Sequence, residues 1–551
     1  MGASTGWRQV RISTRHGVMG VLGRLLACGV LLILPSCGIP PLRRAEPGPA
    51  LPAGFGGLSW SGTAGQTTTS GATSQENVAD LAISQFYNDP LLVGLIEQAL
   101  RGNRELRMLN EEVEIARNEV LARRGAYLPF VTAGGEAGLE KSSSFTPLGA
   151  TEEQLLTPRG TRFPVPVPNF LGSLNLFWQI DIWRELRNAR DAAQQRYLAA
   201  LEQRNGFVTR LVAEVAENYY ALMALDLRLR NLTQIIELQE NSYQIVRAEM
   251  EAGRGTELAV QRFLAEVRKN QSELLIVRQE LIQVENQINF LVNRYPQYVE
   301  RPMLDYQTFF DLDGGALSLG IPAQLLQNRP DIRQAERELA AAGLEVRVAR
   351  AHFFPRLDLS AGVGYEAFNP RFLFTPEALV YGVAGELVGP VINKAAIRAE
   401  YRSANAAQLQ VVYKYQRTVL NAFTEVVNLM AKVQNYSQSI ERKKQRVAAL
   451  EAAVDAASKL FQAGRVEYLE VLLAQRDLQE ARAELIETKR EQLSAIVNTY
   501  KALGGGWRSY PAMIRGRQGL PAVQAVGAPE PILPPADQPL PPPPNPAPDQ
   551  P

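Results

Sequence analysis

Two long stretches of the chain place an apolar residue at every seventh position. From Leu201 the series runs through Val208, Val215, Leu222, Leu229, Ile236 and Tyr243 to Met250; from Val412 it runs through Val419, Val426, Val433, Ile440, Val447 and Val454 to Phe461. Each series has eight apolar positions without a miss, and each stops three residues before a glycine, Gly253 or Gly464, at a constant offset of 211 residues. A strict seven-residue period predicts helices supercoiled against neighbours rather than buried in a globule. Helix from about Trp183 to Ala252 would span ~105 Å, and Val391 to Ala463 about as much. Return helices follow, with Val260, Val267, Leu274, Leu281 and Ile288 in the first and Val471, Leu478 and Leu485 in the second. Gly253-Arg254-Gly255-Thr256 and Gly464-Arg465 then read as hairpin turns, glycine suiting the left-handed backbone at a helix C-terminus.

Elsewhere the period drops to two. Leu357, Leu359, Ala361, Val363 and Tyr365 alternate with Asp358, Ser360, Gly362, Gly364 and Glu366. Leu174, Leu176, Trp178 and Ile180 alternate with small or polar residues, broken at Phe177. Phe130 to Glu140 and Leu379 to Val388 are weaker strand candidates, diluted by Gly and Ala. All four approach the ~9–11 residues a tilted strand needs to cross a bilayer. Tyr127, Trp178, Trp183, Phe353, Phe354 and Tyr381 fall near their ends, as in the aromatic girdles of membrane barrels. Soluble hairpins packed on the helices would also explain the alternation, but not why ~100 Å rods should meet there. Four strands cannot close a barrel, since the smallest membrane barrels use ~8, and lipid tolerates no open edge. A membrane reading therefore requires oligomerisation, and three chains supply twelve strands. The outer connections would be Lys141 to Asn169 and Ala367 to Pro376.

The termini differ in kind. Arg8, Arg11, Arg15 and Arg24 precede an apolar run from Leu25 to Leu34, then Pro35-Ser36-Cys37-Gly38. This is the layout of an export signal over residues 1–36, with Met19 as an alternative start. An uncleaved N-terminal anchor is the competing reading. Ala45 to Gln75 reads as a linker, and Pro529 to Pro551 as a solvated polyproline tail. Between them lies an internal duplication, giving an N-terminal segment and linker over 37–80 (lipidated on the resemblance given below), a first unit over 81–300, a connector over 301–327, a second unit over 328–506 and a C-terminal segment over 507–551.

Composition adds exclusions. Lys and Arg number 58 against 57 Asp and Glu, which argues against a nucleic-acid partner. Two histidines, His16 and His352, and two cysteines, Cys28 and Cys37, cannot build a zinc site or a Ser-His-Asp triad. No acids group into a pocket away from the helical faces, so an enzyme is not expected; nor is a metal or other cofactor. His352, before Pro355, reads as an interfacial or capping residue.

Leu34-Pro35-Ser36-Cys37 resembles the lipobox of bacterial lipoproteins, which makes Cys37 the lipid-attachment residue. With it, Phe86-Tyr87-Asn88-Asp89-Pro90-Leu91, the corners Tyr127-Leu128-Pro129 and Phe354-Pro355, the corners Asp181-Ile182-Trp183 and Gly389-Pro390-Val391-Ile392, and Gly464 with Leu469-Glu470-Val471-Leu472 resemble the TolC-like outer-membrane efflux proteins, lipidated branch. The resemblance covers roughly Ala82 to Gly505.

It implies a mainly α fold with membrane β: a homotrimer whose twelve-stranded barrel, four strands per chain, continues into a coiled-coil α-helical barrel across the periplasm. The implied role is the passive exit duct of a tripartite efflux system. Its partners would be outer-membrane lipid, a periplasmic adaptor and an inner-membrane pump of the resistance-nodulation-division type. The resemblance also assigns adaptor contact to the tips Gly253, Arg254, Gly255, Thr256, Gly464, Arg465 and Val466, and an acidic ring at the periplasmic aperture to Glu470. Leu258, Ala259 and Val466 stand where relatives pair to hold the aperture shut, so closure here would rest on packing. The duct of a type I protein secretion system and a lipid-tethered periplasmic coiled-coil scaffold are the alternatives. The scattered methionines Met108, Met223, Met250 and Met430 give no support to a soft-metal cargo.

Overall fold

The computed structural model describes residues 39–52, 54–55, 77–152, 154–157, 160–312 and 322–510. Helices α1 (Pro90–Gly102) and α2 (Arg104–Ala126) lead into strands β1 (Phe130–Glu140) and β2 (Val167–Ile180), then the long helix α3 (Glu185–Glu251) and its return α4 (Glu257–Leu291). After a connector with a short helix, Tyr306–Phe310, the pattern recurs as α5 (Pro330–Ala351), β3 (Arg356–Ala367), β4 (Leu379–Val388), α6 (Ala395–Gln462) and α7 (Tyr468–Ala502).

Helices α3 and α6 have 67 and 68 residues, about 100 Å each. Shorter helices lie along them: α2 and α4 on α3, α5 and α7 on α6, with α5 also against α3. None of the sixteen heptad positions is exposed. Those nearest mid-length, including Val208, Val215, Leu222, Val426 and Val433, are fully buried in one cluster with Tyr219, Ile288, Leu485 and Tyr500.

Both long helices start later than the apolar pattern alone suggests, by two residues in α3 and four in α6. At each corner one residue takes left-handed backbone, Arg184 with φ 59° and Asn393 with φ 55°, and this turns the chain out of the strand before the helix can propagate. Asp181, nearly buried, fixes the first corner by accepting from the backbone N–H groups of Leu186 (3.1 Å) and Arg187 (2.9 Å) and from Arg187 Nε (3.1 Å).

The four strands form one antiparallel sheet in the order β1-β2-β3-β4. The register Ala133↔Leu174, Leu174↔Val363 and Val363↔Tyr381 sets every apolar series on the same face. That face carries Val131 and Leu139 of β1, Leu174, Leu176 and Trp178 of β2, Leu359 and Val363 of β3, and Tyr381, Val383 and Leu387 of β4. The opposite face carries Glu136, Glu140, Asn175, Gln179, Asp358, Glu366 and Glu386. Leu139, Tyr381 and Val383 are 73%, 81% and 83% exposed. Among the described residues no helix is long and apolar enough to cross a membrane.

Three sequence expectations change on the structure. Phe353 is not a girdle residue: it is buried, edge-to-face on Tyr401 at 5.7 Å, beside Val346 and Ala349. Part of the expected linker is ordered against α6. Arg43 exchanges hydrogen bonds with the Asn405 amide (2.8 and 3.3 Å), and the Glu46 carbonyl accepts from Gln416 (2.9 Å). Folded structure also continues to Tyr510, where Trp507 Nε1 donates to the Asn328 carbonyl at 3.0 Å. Residues 1–36, Cys37 and the polyproline tail lie outside the described residues.

Candidate functional site

The two hairpin tips are built alike. At the end of α3, Gly253 takes φ 74°, its N–H donates to Met250 O (2.9 Å), and Arg254 N–H donates to Glu249 O (2.8 Å). At the end of α6, Gly464 takes φ 68°, its N–H donates to Phe461 O (2.8 Å), and Arg465 N–H donates to Leu460 O (2.9 Å). Both are Schellman turns, which satisfy the carbonyls a helix end leaves free. Thr256 caps α4 by accepting from Ala259 N–H at 3.3 Å, whereas Glu467, at the same place before α7, makes no side-chain cap. Gly255 and Val466 occupy matching positions, both half-buried. Arg254 and Arg465 project from the tips, exposed, with no ion pair among the described residues.

Just behind the tips the two hairpins are packed together. Val246, Val260, Phe263 and Leu472 form a small apolar cluster with Tyr243, Met250, Ala259, Tyr468 and Leu469 around it. Tyr468 lies 4.9 Å from Phe263 and 4.4 Å, edge-on, from Phe461. The structure therefore brings the start of α7 against the first hairpin, with Ala259 in the contact and Leu258 exposed. Glu470, in the first turn of α7, is exposed and makes no side-chain hydrogen bond among the described residues.

Further along the same helices lies a buried amide ladder that sequence reasoning missed. Gln479 Nε2 on α7 donates to Asn270 Oδ1 on α4 (3.0 Å), and Asn270 Nδ2 donates to Gln239 Oε1 on α3 (2.7 Å). Asn270 is fully buried. A polar contact inside a coiled-coil core fixes which positions face each other. Tracking apolar positions alone passes over it; the signal was an Asn and two Gln on otherwise apolar seams.

The lateral margins of the chain are unfinished at two levels. Strands β1 and β4 each keep one unpaired edge. In the helical layer the order is α2-α3-α5-α6, so α2 and α6 are outermost. Both present exposed apolar residues seven apart: Met108 and Ile115 on α2, Tyr413 and Leu420 on α6. His352 sits beneath the sheet between two carboxylates, 3.0 Å from Glu400 and 3.4 Å from Glu185, tying α5 to α6 and α3. Among the described residues no group of three His, Cys, Asp or Glu could hold a metal.

The sequence matches the family profile of the outer membrane efflux protein over residues 95–294 and 321–505. It is 27% identical over 485 residues to the cation efflux system protein CusC of Escherichia coli O6:H1, covering 88% of this chain and 99% of that protein. It is 29% identical over 438 residues to the toluene efflux pump outer membrane protein TtgF of Pseudomonas putida, covering 79% and 87%. A crystal structure of CusC superposes with TM-score 0.69 at 25% identity, covering 85% of this chain and all of that one.

Proposed function

The chain belongs to the outer membrane efflux protein family, a family of channels rather than enzymes, and on that premise we propose that three copies assemble into the exit duct of a tripartite efflux system. The observation that carries this reading is the apolar sheet face. It runs unbroken across four strands, is exposed, and ends at two unpaired strand edges that continue into the unpaired heptad seams of α2 and α6. An exposed apolar surface of this extent marks contact with lipid or protein, and open edges are not tolerated in lipid. Pairing β1 of one copy with β4 of the next, and α2 with α6, closes both layers together. Three copies then give twelve strands around an acidic interior, continued by helices long enough to reach across the periplasm.

Within this duct the repeated half, 81–300 and 328–506, is a duplicated unit. Residues 1–36 direct export and Cys37 carries the acyl chains. The position of Ile39 supports the anchor: it packs beside Phe353, Phe354 and Tyr401 at the foot of the sheet, and two residues reach at most ~7 Å. The tips Gly253, Arg254, Gly255, Thr256, Gly464, Arg465 and Val466 meet a periplasmic adaptor, with the free Arg254 and Arg465 facing acidic residues on it. Glu470 supplies one carboxylate per chain to a ring at the aperture, favouring cations. The apolar cluster around Phe263 and Tyr468 holds the aperture closed. An inner-membrane pump of the resistance-nodulation-division type supplies the energy, and small molecules pass without being recognised. Relatives at similar identity are named for cations and for toluene, so similarity selects no cargo.

Assembly is the test. Native mass spectrometry of the detergent-purified chain should give a trimer, and Ile115→Asp or Leu420→Asp should dissociate it. A monomer from wild-type protein contradicts the duct.

A further inference from the structure

At the foot of the sheet a 360 Å³ groove opens between the start of α3 and the end of α5. Its cationic wall is Arg184, Arg347 and Arg350. The two arginines of α5 make no ion pair among the described residues. Arg184 Nη2 makes a long ion pair, 3.9 Å, with Oδ2 of Asp191, which also lines the groove and whose Oδ1 is engaged by Arg190. The groove's other wall is the stacked pair Trp183 and Phe354, with centroids 4.5 Å apart, held by Trp183 Nε1 donating to the Pro355 carbonyl at 2.8 Å. Inside it, Asn188 is 7% exposed and lines the groove beside the arginines.

Two further facts locate the groove. Helices α3 and α5 are both inner members of the order α2-α3-α5-α6, so a neighbouring copy docked on the lateral edges does not cover it. The adjoining groove on α5 shares Leu344, Arg347 and Arg350 and holds Leu42 of the N-terminal segment. That segment leads back to Cys37, so on the reading that Cys37 is lipidated this face of α5 is the outer, lipid-side face. Arg184 also occupies left-handed backbone, φ 59°, where the matching corner uses Asn393. Asn adopts that conformation readily and Arg does not; a strained residue of this sort points to use of its side chain.

The geometry points to a binding site for the headgroup of an anionic glycerophospholipid of the periplasmic leaflet, one per chain. The arginines and the Asn188 amide take the phosphodiester oxygens, guanidinium being suited to phosphate. The Trp183 and Phe354 rings lie against the glycerol and upper acyl carbons, where amphipathic aromatics sit at membrane interfaces. The acyl chains rise along the apolar sheet face. The site rests on the proposed membrane-spanning trimer and adds to it a fixed lipid at each barrel foot.

Native mass spectrometry of the full-length lipidated protein in detergent, titrated with phosphatidylglycerol, phosphatidylcholine or inorganic phosphate, tests it. Up to three phosphatidylglycerol molecules should bind per trimer, ahead of phosphatidylcholine and undisplaced by inorganic phosphate. The combined Arg184→Gln, Arg347→Gln and Arg350→Gln variant should bind at least about tenfold more weakly. Should that variant not assemble, Asn188→Leu, which fills the groove without changing its charge, should give the same loss. Equal binding by wild type and variant overturns the site, as does displacement by inorganic phosphate, which would make it a simple anion site. A trimer that shows no phosphatidylglycerol preference overturns the site alone. A chain that forms no trimer overturns the membrane reading and the site with it.

Discussion

At Gly253 and Gly464 an added Cβ would meet nothing within 4 Å, so left-handed backbone alone selects glycine there. A non-glycine residue in that region costs about 1 kcal/mol, least for Asn. Gly464→Val should therefore loosen the α6–α7 tip and weaken export while trimers persist. Gly464→Asn should leave both near wild type. Limited proteolysis at the tip, with an export assay, separates the two; equal behaviour contradicts the turn argument. Gly255 is a different case, without left-handed φ, and Val466 shows that the matching position accepts a side chain. The exposed arginines carry a separate expectation. Arg254→Glu with Arg465→Glu should abolish adaptor cross-linking without changing trimer mass, and retained cross-linking would move the contact off the tips. These glycines and arginines were legible because a turn writes itself locally. Phe353 was not: its place beside a corner proline fits a girdle residue as well as a buried one, and only contact with Tyr401 from a distant helix decides.

Among elements, the seven-residue stripes located α3 and α6 and the period of two located the strands, since both patterns reflect a face that each element must bury or pair. Helix starts were less legible, because Asp181, Arg184 and Asn393 act through backbone geometry that apolar spacing does not record. The amide ladder belongs to this scale as well. Asn270→Ala leaves Gln239 Oε1 and Gln479 Nε2 without their partner, a loss of about 1–3 kcal/mol for each buried group. The variant should melt earlier and, with α7 less firmly held to the first hairpin, spend more time open in channel recordings. Unchanged melting would show the ladder to be dispensable. The α6–α7 pair adds a pH term. Glu491 accepts from Lys432 Nζ at 2.5 Å, and that bond holds its carboxyl below the ordinary carboxylate range. A lowered folded value gives stability that is present above the unfolded pKa and lost as pH falls through the folded one. Glu491→Gln should therefore flatten the acid side of the melting profile, a small effect because the pair is partly solvated. An unaltered profile contradicts it.

For the whole molecule, the acidic face of the sheet and the open edges matter most. The polar face offers Glu136, Glu140, Asp358, Glu366 and Glu386 against Arg356, which pairs with Asp358 at 2.7 Å. Closed around a pore, these carboxylates should make the channel cation-selective. The combined Glu136→Gln and Glu386→Gln variant should shift the reversal potential in a salt gradient toward zero; no shift would place those side chains off the conduction path. The proposal of several chains rests only on the mismatch between four strands and a closed barrel, because one sequence records its own edges and not the partner that covers them. Single-channel recording of the detergent-purified protein in planar bilayers tests the central claim most directly. The duct predicts stepwise conductance from trimers, and correctly assembled protein that never conducts contradicts it.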